Sequence, residues 1–471
     1  MRQDHGEAAR WSRRGVFRIG GMATAAAMIG GVEKAAGGTA HAQSAFSPDA
    51  PAVTRKRGLD VRNVEQIFVD VPFKPVPARH QYREFDHEGR RFGQIVKVHL
   101  ANGVIGVGEG GLAGGALQRV TGRSAADHMW DDSLGGGLQM ALFDAVARTN
   151  EVPVHRLLGH KVRERAFMSW WAKDMPGKDW VLECREAIAS GYTAFKGKAR
   201  PWFDLIEQCS TLVPELPKHF EIDFDFNALL LDSGHALNYL TELQQFQNMA
   251  IFESPIPQED VEGNKVLRQR LRIPIAMHYG TPPIMTALRE EVCDGFVVGG
   301  GASRVLMEGA ILAAANKPFW LQITGFGLTA VWDMHLAAVL THARWPAITL
   351  HHMFVSELVS PAIRVENGSA RIPDEPGLGF ALDEAAVEKY RIARIPDRQQ
   401  PNRLYAIRWP SGGASYYRNA DEFRADFLAG LLPPFPRGVY MEEVRDDGSS
   451  EWKDLHARAQ RGGVHDGARP R

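Results

Sequence analysis

The sequence predicts a (β/α)8 barrel of the TIM type, an α/β fold, behind an N-terminal α+β capping domain. Three observations carry that prediction. From Phe167 onward one unit recurs: a short apolar or β-branched run, a polar turn, then an amphipathic helix. Its candidate strands end near Trp170, Lys198, Asp225, Glu253, His278, Gly299, Gln322 and Leu350, spaced 21 to 28 residues apart. No Gly-x-Gly-x-x-Gly phosphate turn follows any of them, which disfavours the open doubly wound sheet that the same alternation allows. Before the repeat, the chain reads as a strand through Ile67, Val69 and Val71, a long loop from Phe73 to Gly93, and a hairpin built on Gln94–Leu100 and Val104–Glu109.

The remaining elements follow in order. Residues 1–42 read as a twin-arginine-type export signal: Arg13-Arg14 precede a Gly/Ala-rich apolar stretch from Ile19 to Val32, and Ala40-His41-Ala42 has the small-x-small form of a cleavage site. An exported, periplasmic protein beginning near Gln43 is expected. Residues 43–165 make the capping domain and a linker helix around Leu138–Val146, residues 166–365 the barrel, and residues 366–471 a segment that completes the cap, adds an extension and ends in a polar, disordered tail.

Composition narrows the function. The 471 residues carry 55 Lys+Arg against 56 Asp+Glu, a net charge of −1, so nothing global favours nucleic acid or an anionic membrane. No run reaches the ~18 apolar residues of a membrane span. Three cysteines exclude a disulfide framework. A small molecule is the expected partner.

In a barrel, chemistry gathers at the carboxyl ends of the strands. There Lys196 and Lys198 stand at period two and so point to one face, into the barrel. A lysine beside another cation and a metal has its pKa depressed and can serve as a base. Asp225 and Glu253 lie one βα unit apart, which puts two carboxylates side by side, and a divalent cation is the natural filling. His278 follows one unit later, either as a third ligand or as a hydrogen-bonded core histidine.

This succession resembles the enolase superfamily, on the branch of mandelate racemase and muconate lactonizing enzyme. Phe195-Lys196-Gly197-Lys198 resembles its Lys-x-Lys motif, Asp225-Phe226-Asn227 its Asp-x-Asn, Phe252-Glu253-Ser254-Pro255 its Glu-x-Pro, and Pro376-Gly377-Leu378-Gly379 its ending. The resemblance implies removal by Lys198, beside Lys196, of the proton α to a substrate carboxylate. It also implies one divalent metal, Mg²⁺, at Asp225 and Glu253, a small carboxylate substrate and a homo-oligomer. With His278 as ligand, in place of the family's third acid, Mn²⁺, Fe²⁺ or Zn²⁺ become possible.

Two further departures matter. The sixth strand lacks the family's lysine or aspartate, and the seventh places Gln322 where racemase-like members have a histidine. A second base would have to come from Tyr279, His351 or His352. One base suffices for syn β-elimination, so dehydration of a sugar acid or hydroxy acid is the first reading. Cycloisomerisation or epimerisation is the second, and an exported, non-catalytic binding barrel is the third. Arg79, His80 and Arg83 on the capping loop are placed to hold the distal end of a substrate, as are Asn227, Tyr279, Gln322 and His351 at strand ends.

Overall fold

The computed structural model describes residues 57–84, 89–397 and 401–466. The expected export signal lies outside them.

The cap is an antiparallel sheet of β1 (Val61–Asp70), β2 (Phe92–Leu100) and β3 (Ile105–Glu109), with a short helix α1 (Pro75–Arg79) in the connection between the first two. Alternation of the buried Ile67 and Val69 with the more exposed Gln66, Phe68 and Asp70 gives β1 one buried face. Helix α2 (Gly136–Thr149) packs on the sheet so closely that every residue from Gly137 to Ala147 is buried. The glycines of β3 permit this: a Cβ on Gly106 would lie 2.2 Å from the Ala141 carbonyl, and one on Gly108 2.2 Å from that of Gly137.

The barrel strands are β4 (Arg165–Trp171), β5 (Ala194–Lys198), β6 (Glu221–Asp225), β7 (Met249–Glu253), β8 (Ile275–His278), β9 (Gly295–Val298), β10 (Phe319–Leu321) and β11 (Ala347–Ile348). Each pairs in parallel with the next as far as β10. β11 returns to β4 through Ala347 and Met168, and a single bridge between Gln322 and Ile348 closes the ring. Lys198, Asp225, Glu253 and His278 are the last residues of their strands, as the spacing predicts. Helices α3 (Gly177–Ala189), α4 (Leu205–Leu212), α5 (Ser233–Leu243), α6 (Val261–Arg270), α7 (Ile284–Glu290), α8 (Ala302–Ala314) and α9 (Gly327–Val339) follow β4 to β10 in turn. After β11 a single 3₁₀ turn, His351–Met353, stands where an eighth helix was expected.

The chain then makes four short strands. β12 (Val359–Ser360) pairs with β15 (Ala381–Leu382), and the hairpin β13 (Val365–Glu366) and β14 (Ser369–Arg371) extends the sheet beside β4. β16 (Arg391–Ile392) pairs with β1 and completes the cap. Asp144 of α2 ties these parts together. Its buried carboxylate accepts the Val107 amide at 2.8 Å, the Leu378 amide at 2.7 Å and the Arg148 guanidinium at 2.8 Å.

Beyond residue 400 the expected extension is a folded unit as far as residue 466, and the end of the expected tail, residues 467–471, lies outside the described residues. β17 (Arg403–Arg408), β18 (Ala414–Tyr417), β19 (Tyr440–Arg445) and β20 (Val464–Asp466) form an antiparallel sheet in the order β19-β17-β18-β20, with helices α10 (Ala420–Leu428) and α11 (Ser450–Ala459). The polar composition misleads because α11 buries only Trp452 and Ala459, which pack with Leu404 and Val464. A few large apolar groups on an otherwise charged helix are enough to seat it. The unit is anchored on the capping loop by the Ala420 amide, which donates to the Arg83 carbonyl at 2.9 Å, and on the barrel by Arg437, 2.9 Å from Asp204.

Cap and barrel also meet at Glu109, whose carboxylate accepts the Phe326 and Thr329 amides and so caps α9 from another domain. Burial pushes this carboxyl from 4.5 up to about 7, against the pull of those amides. A raised carboxyl is ionised more readily in the unfolded chain. Its contribution to stability is therefore complete below pH 4.5 and lost as pH rises through 7. Glu109→Gln removes that dependence. Relative to the variant, the wild type should lose about 3 kcal/mol of unfolding free energy between pH 4.5 and 8. Parallel urea titrations at the two pH values check this, and an unchanging difference would exclude it.

Candidate active site

The site is built from three adjacent strands in register. Lys198 pairs across the sheet with Asp225, and Asp225 with Glu253. Alternation on β5 sends Lys196 and Lys198 inward and leaves Phe195 facing Trp180 of α3. Gly197 is required between them: a Cβ there would lie 2.9 Å from the Phe224 ring and 3.1 Å from those of Phe195 and Trp180.

The charges are matched within the barrel. Lys196, 1% exposed, forms an ion pair with Glu253, 0% exposed, and its Nζ lies 4.0 Å from the centre of the Trp320 ring. Lys198, nearer the mouth, pairs with Asp225, lies 3.3 Å from Asn227 Oδ1 and faces Trp171 at 5.9 Å. The Asn227 amide donates to Asp225 Oδ1 at 2.8 Å, and Asn227, Ala228 and Ser254 all adopt left-handed backbone at the strand ends. His278 reaches back to Glu253, Nε2 to Oε1 at 2.9 Å, with its own side chain 46% exposed.

These pairings set the titration behaviour. Burial alone would raise the Glu253 carboxyl, but the charge of Lys196 and the contact with His278 outweigh it and hold it well below the usual range. His278 is held above its ordinary value, since the Glu253 carboxylate overcomes the opposing effect of burial. Asp223, one layer deeper on β6 and opposite Lys196, is pushed up to about 7 by burial, which Lys196 only partly offsets.

Asp225, Glu253 and His278 supply two carboxylates and an imidazole, a donor set that fits a divalent cation. Among the described residues, however, no three His, Cys, Asp or Glu side chains are gathered closely enough to hold one, so the expected ligand cluster is not assembled. Each buried carboxylate has instead turned to the nearest ammonium, the response of an anion in a low-dielectric interior.

The other expected residues are dispersed. His80 and Arg79 pair with Asp179 at 2.7 and 3.2 Å, and Arg83 with Asp174 at 3.1 Å; none of the three touches the lysine–carboxylate cluster. Their shared loop folds down on the start of α3 and the segment before it, where the buried acids Asp179 and Asp174 pair with it. Tyr279 lies against Phe296, and Gln322 accepts from Trp320 Nε1 at 3.3 Å. His351 is buried against Thr349 and the Tyr192 hydroxyl, at 2.9 and 3.2 Å. His352 contacts the Trp171 carbonyl at 2.9 Å and stacks on Trp170. Burial lowers the pKa of both histidines.

Several neighbours of the cluster escaped the sequence reading. Asp223 shares the period-two face of Asp225, so its signal was present. Trp171 and Trp320 read as ordinary core. Arg200, held by Glu84 of the capping loop and 3.5 Å from the Asp225 carbonyl, carried no signal, because its partner lies 116 residues away.

Comparison with known proteins bears on this arrangement. The sequence profile described as enolase C-terminal domain-like matches residues 179–386, which hold all of these lysines and carboxylates. The chain belongs to the enolase superfamily, on the branch of mandelate racemase and muconate lactonizing enzyme. Within that superfamily it is 23% identical over 275 residues to an arabinonate dehydratase of Saccharolobus solfataricus, covering 54% of this chain and 71% of that one. It is 24% identical over 381 residues to muconate cycloisomerase 1-2 of Acinetobacter lwoffii, covering 71% and 96%. The solved 2-chloromuconate cycloisomerase of Rhodococcus opacus 1CP shares the fold with a TM-score of 0.58 at 19% identity, over 71% of this chain and 99% of that one. Superfamily members use a divalent metal, typically Mg²⁺. This superfamily chain is accordingly an enzyme of the lyase or isomerase class.

The Lys196–Glu253 pair gives a direct test of the charge matching. Glu253→Gln strands a buried ammonium and should cost about 3–5 kcal/mol of unfolding free energy. The double variant Lys196→Met/Glu253→Gln should recover most of that loss. A double-mutant cycle by guanidinium denaturation measures the coupling, and additive losses would show that the two groups are independent.

Proposed function

We propose that this enzyme dehydrates a hydroxylated carboxylate, a sugar acid or related hydroxy acid, with Lys198 as its single base. The observation that carries the reading is the one-sidedness of the barrel mouth. Lys198 stands on β5 at the mouth, whereas the strand ends opposite present Gly299, Gly300 and Gly301 after β9 and the amide of Gln322 after β10. Of the other candidate bases, His351 and His352 are engaged with Tyr192, Thr349 and the Trp171 backbone, and Tyr279 lies against Phe296 with its hydroxyl pKa raised above its ordinary range by burial.

A divalent cation held by Asp225 and Glu253, with His278 beside them, would stabilise the negative charge that develops on the substrate carboxylate. The neutral amine of Lys198 takes the α-proton, and the C–H electron pair becomes the C=C bond as the β-hydroxyl departs. On the same face, the lysine proton is within reach of the leaving oxygen, so water is lost and the enol tautomerises to an α-keto acid. Lys196 supplies a fixed positive charge below, oriented by Glu253 and Trp320. Asn227 fixes Asp225 through its backbone amide and lies beside Lys198.

The likeness to an acid-sugar dehydratase supports this reading. The longer match, to a cycloisomerase, favours isomerisation as the second reading. The twin-arginine pattern at residues 13–14 supports export of the folded enzyme to the periplasm, which fractionation of cells producing the full chain tests.

Incubation of a panel of five- and six-carbon aldonates with Mg²⁺- or Mn²⁺-loaded enzyme in D₂O separates the alternatives. Dehydration predicts a keto acid deuterated at C3 and recovered substrate free of deuterium. Deuterium at C2 of recovered substrate would instead establish reprotonation and a racemase or epimerase. Lys198→Ala should lower turnover by at least about a hundredfold, the contribution of one positioned base.

A further inference from the structure

The unit beyond residue 400 follows the strand that completes the cap, so neither cap nor barrel needs it to close its own sheet. It packs instead across the carboxyl ends of β5 and β6. On the barrel side it holds the segment after β5. The Asp204 amide donates to the Val439 carbonyl at 3.0 Å, and the Asp204 carboxylate, which also caps α4, accepts the Gly438 amide at 2.8 Å and Arg437 at 2.9 Å. Phe423 meets Trp202 edge-on at 5.6 Å, and both rings are buried. Phe435 lies 5.2 Å from Tyr239 and 6.4 Å from Phe226, the residue after Asp225.

On its other side the unit grips the middle of the capping loop. Ala420 is the first residue of α10, so its amide has no carbonyl within the helix to reach, and it donates to the Arg83 carbonyl at 2.9 Å. The Arg403 guanidinium lies 4.4 Å from the centre of the Tyr82 ring, close enough for a cation–π contact. The next loop residue, Glu84, receives Arg200, whose Nη1 is 3.5 Å from the Asp225 carbonyl. A continuous line of contacts therefore runs from the C-terminal unit through Tyr82, Arg83 and Glu84 to the strand end that carries Asp225. Arg79, His80 and Arg83 are already engaged with Asp179 and Asp174, so a ligand in the barrel has no hold on the loop through them.

We propose that the C-terminal unit is a built-in brace, which keeps the capping loop shut on the β5 and β6 side of the barrel mouth and, through Glu84 and Arg200, positions the end of β6 before any ligand arrives. Arg403 and Ala420 make its positioning contacts. Fixing the loop within the chain removes the cost of ordering it on binding, which is the advantage of a preorganised site. The kinetic consequence rests on the reading of the barrel mouth as the site of dehydration; the structural one does not.

Amide hydrogen exchange of the full chain, read by mass spectrometry, tests the brace. Ala420→Pro deletes one hydrogen bond and spares α10, because proline is favoured at the first helical position and Asn419 before it is extended, with φ −155° and ψ 170°. Arg403→Leu removes the cation and Arg403→Lys keeps one. The first two variants should exchange at least about tenfold faster over residues 75–84 and 199–203, with β8 and β9 unchanged, and Arg403→Lys should stay within about threefold of the wild type. Unchanged exchange over 75–84 in either of the first two variants would overturn the brace, whether or not the C-terminal sheet itself loosens. So would Arg403→Lys behaving as Arg403→Leu, or equal acceleration of β8 and β9, the mark of general destabilisation. For an aldonate that the enzyme turns over, Arg403→Leu should raise KM at least about fivefold and leave kcat within about twofold, since a loop shut for less of the time lowers the competent fraction without altering the bound state. A fall in kcat instead would overturn the positioning role. If no aldonate reacts, the dehydration reading fails while the exchange result still decides the brace.

Discussion

Two lysines and two carboxylates are held out of water inside the barrel, and the structure around them depends on keeping their charges matched. Removing any one would leave its partner in a medium of low dielectric constant with nothing to answer it, a situation far more costly than exposing the same group at the surface. Lys196 has Glu253 beside it and an indole face above it; Lys198 has Asp225, the Asn227 amide oxygen and a second indole. The register of β5, β6 and β7 is what brings these pairs to one level. A shift of one residue would turn every member of the set into the surrounding helix layer.

The same groups give the site its chemical character. A pair of carboxylates that can be released from two ammonium ions is suited to a divalent cation, and an ammonium that can be released from a carboxylate is suited to proton transfer. His278 stands where the resemblance implies a third acid, which turns the local balance of charge towards positive and leaves the two Glu253 oxygens answered by Lys196 and His278, in competition with any cation. That competition explains why the donor set is chemically suitable yet not gathered around a single point.

Around the barrel, the domains are joined by single buried polar groups rather than by broad polar surfaces. Asp144 connects α2, β3 and the Pro376–Gly379 loop; Glu109 connects the cap to the start of α9; Arg200 connects the capping loop to β6. Each lies far in sequence from what it holds. The C-terminal unit adds a fourth connection through Arg83 and Asp204.

The barrel strands, their order and the inward face bearing Lys196, Lys198, Asp225 and Glu253 were determined by the sequence itself, because period-two and 3.6-residue patterns are local and repeat eight times. Membership of the superfamily was legible for the same reason, since its motifs sit at strand ends at fixed spacing. Only the tertiary structure decided which charge answers which. Lys196 with Glu253, His278 with Glu253 and Arg200 with Glu84 are matches between distant segments, and no local pattern encodes the distance between them. It also decided that Arg79, His80 and Arg83 face α3 rather than the cluster, and that the polar C-terminus folds. Both outcomes rest on a few buried contacts, Asp179, Asp174 and Trp452 among them, whose energetic weight is set by desolvation. Desolvation is a property of the packed molecule and not of the chain that forms it.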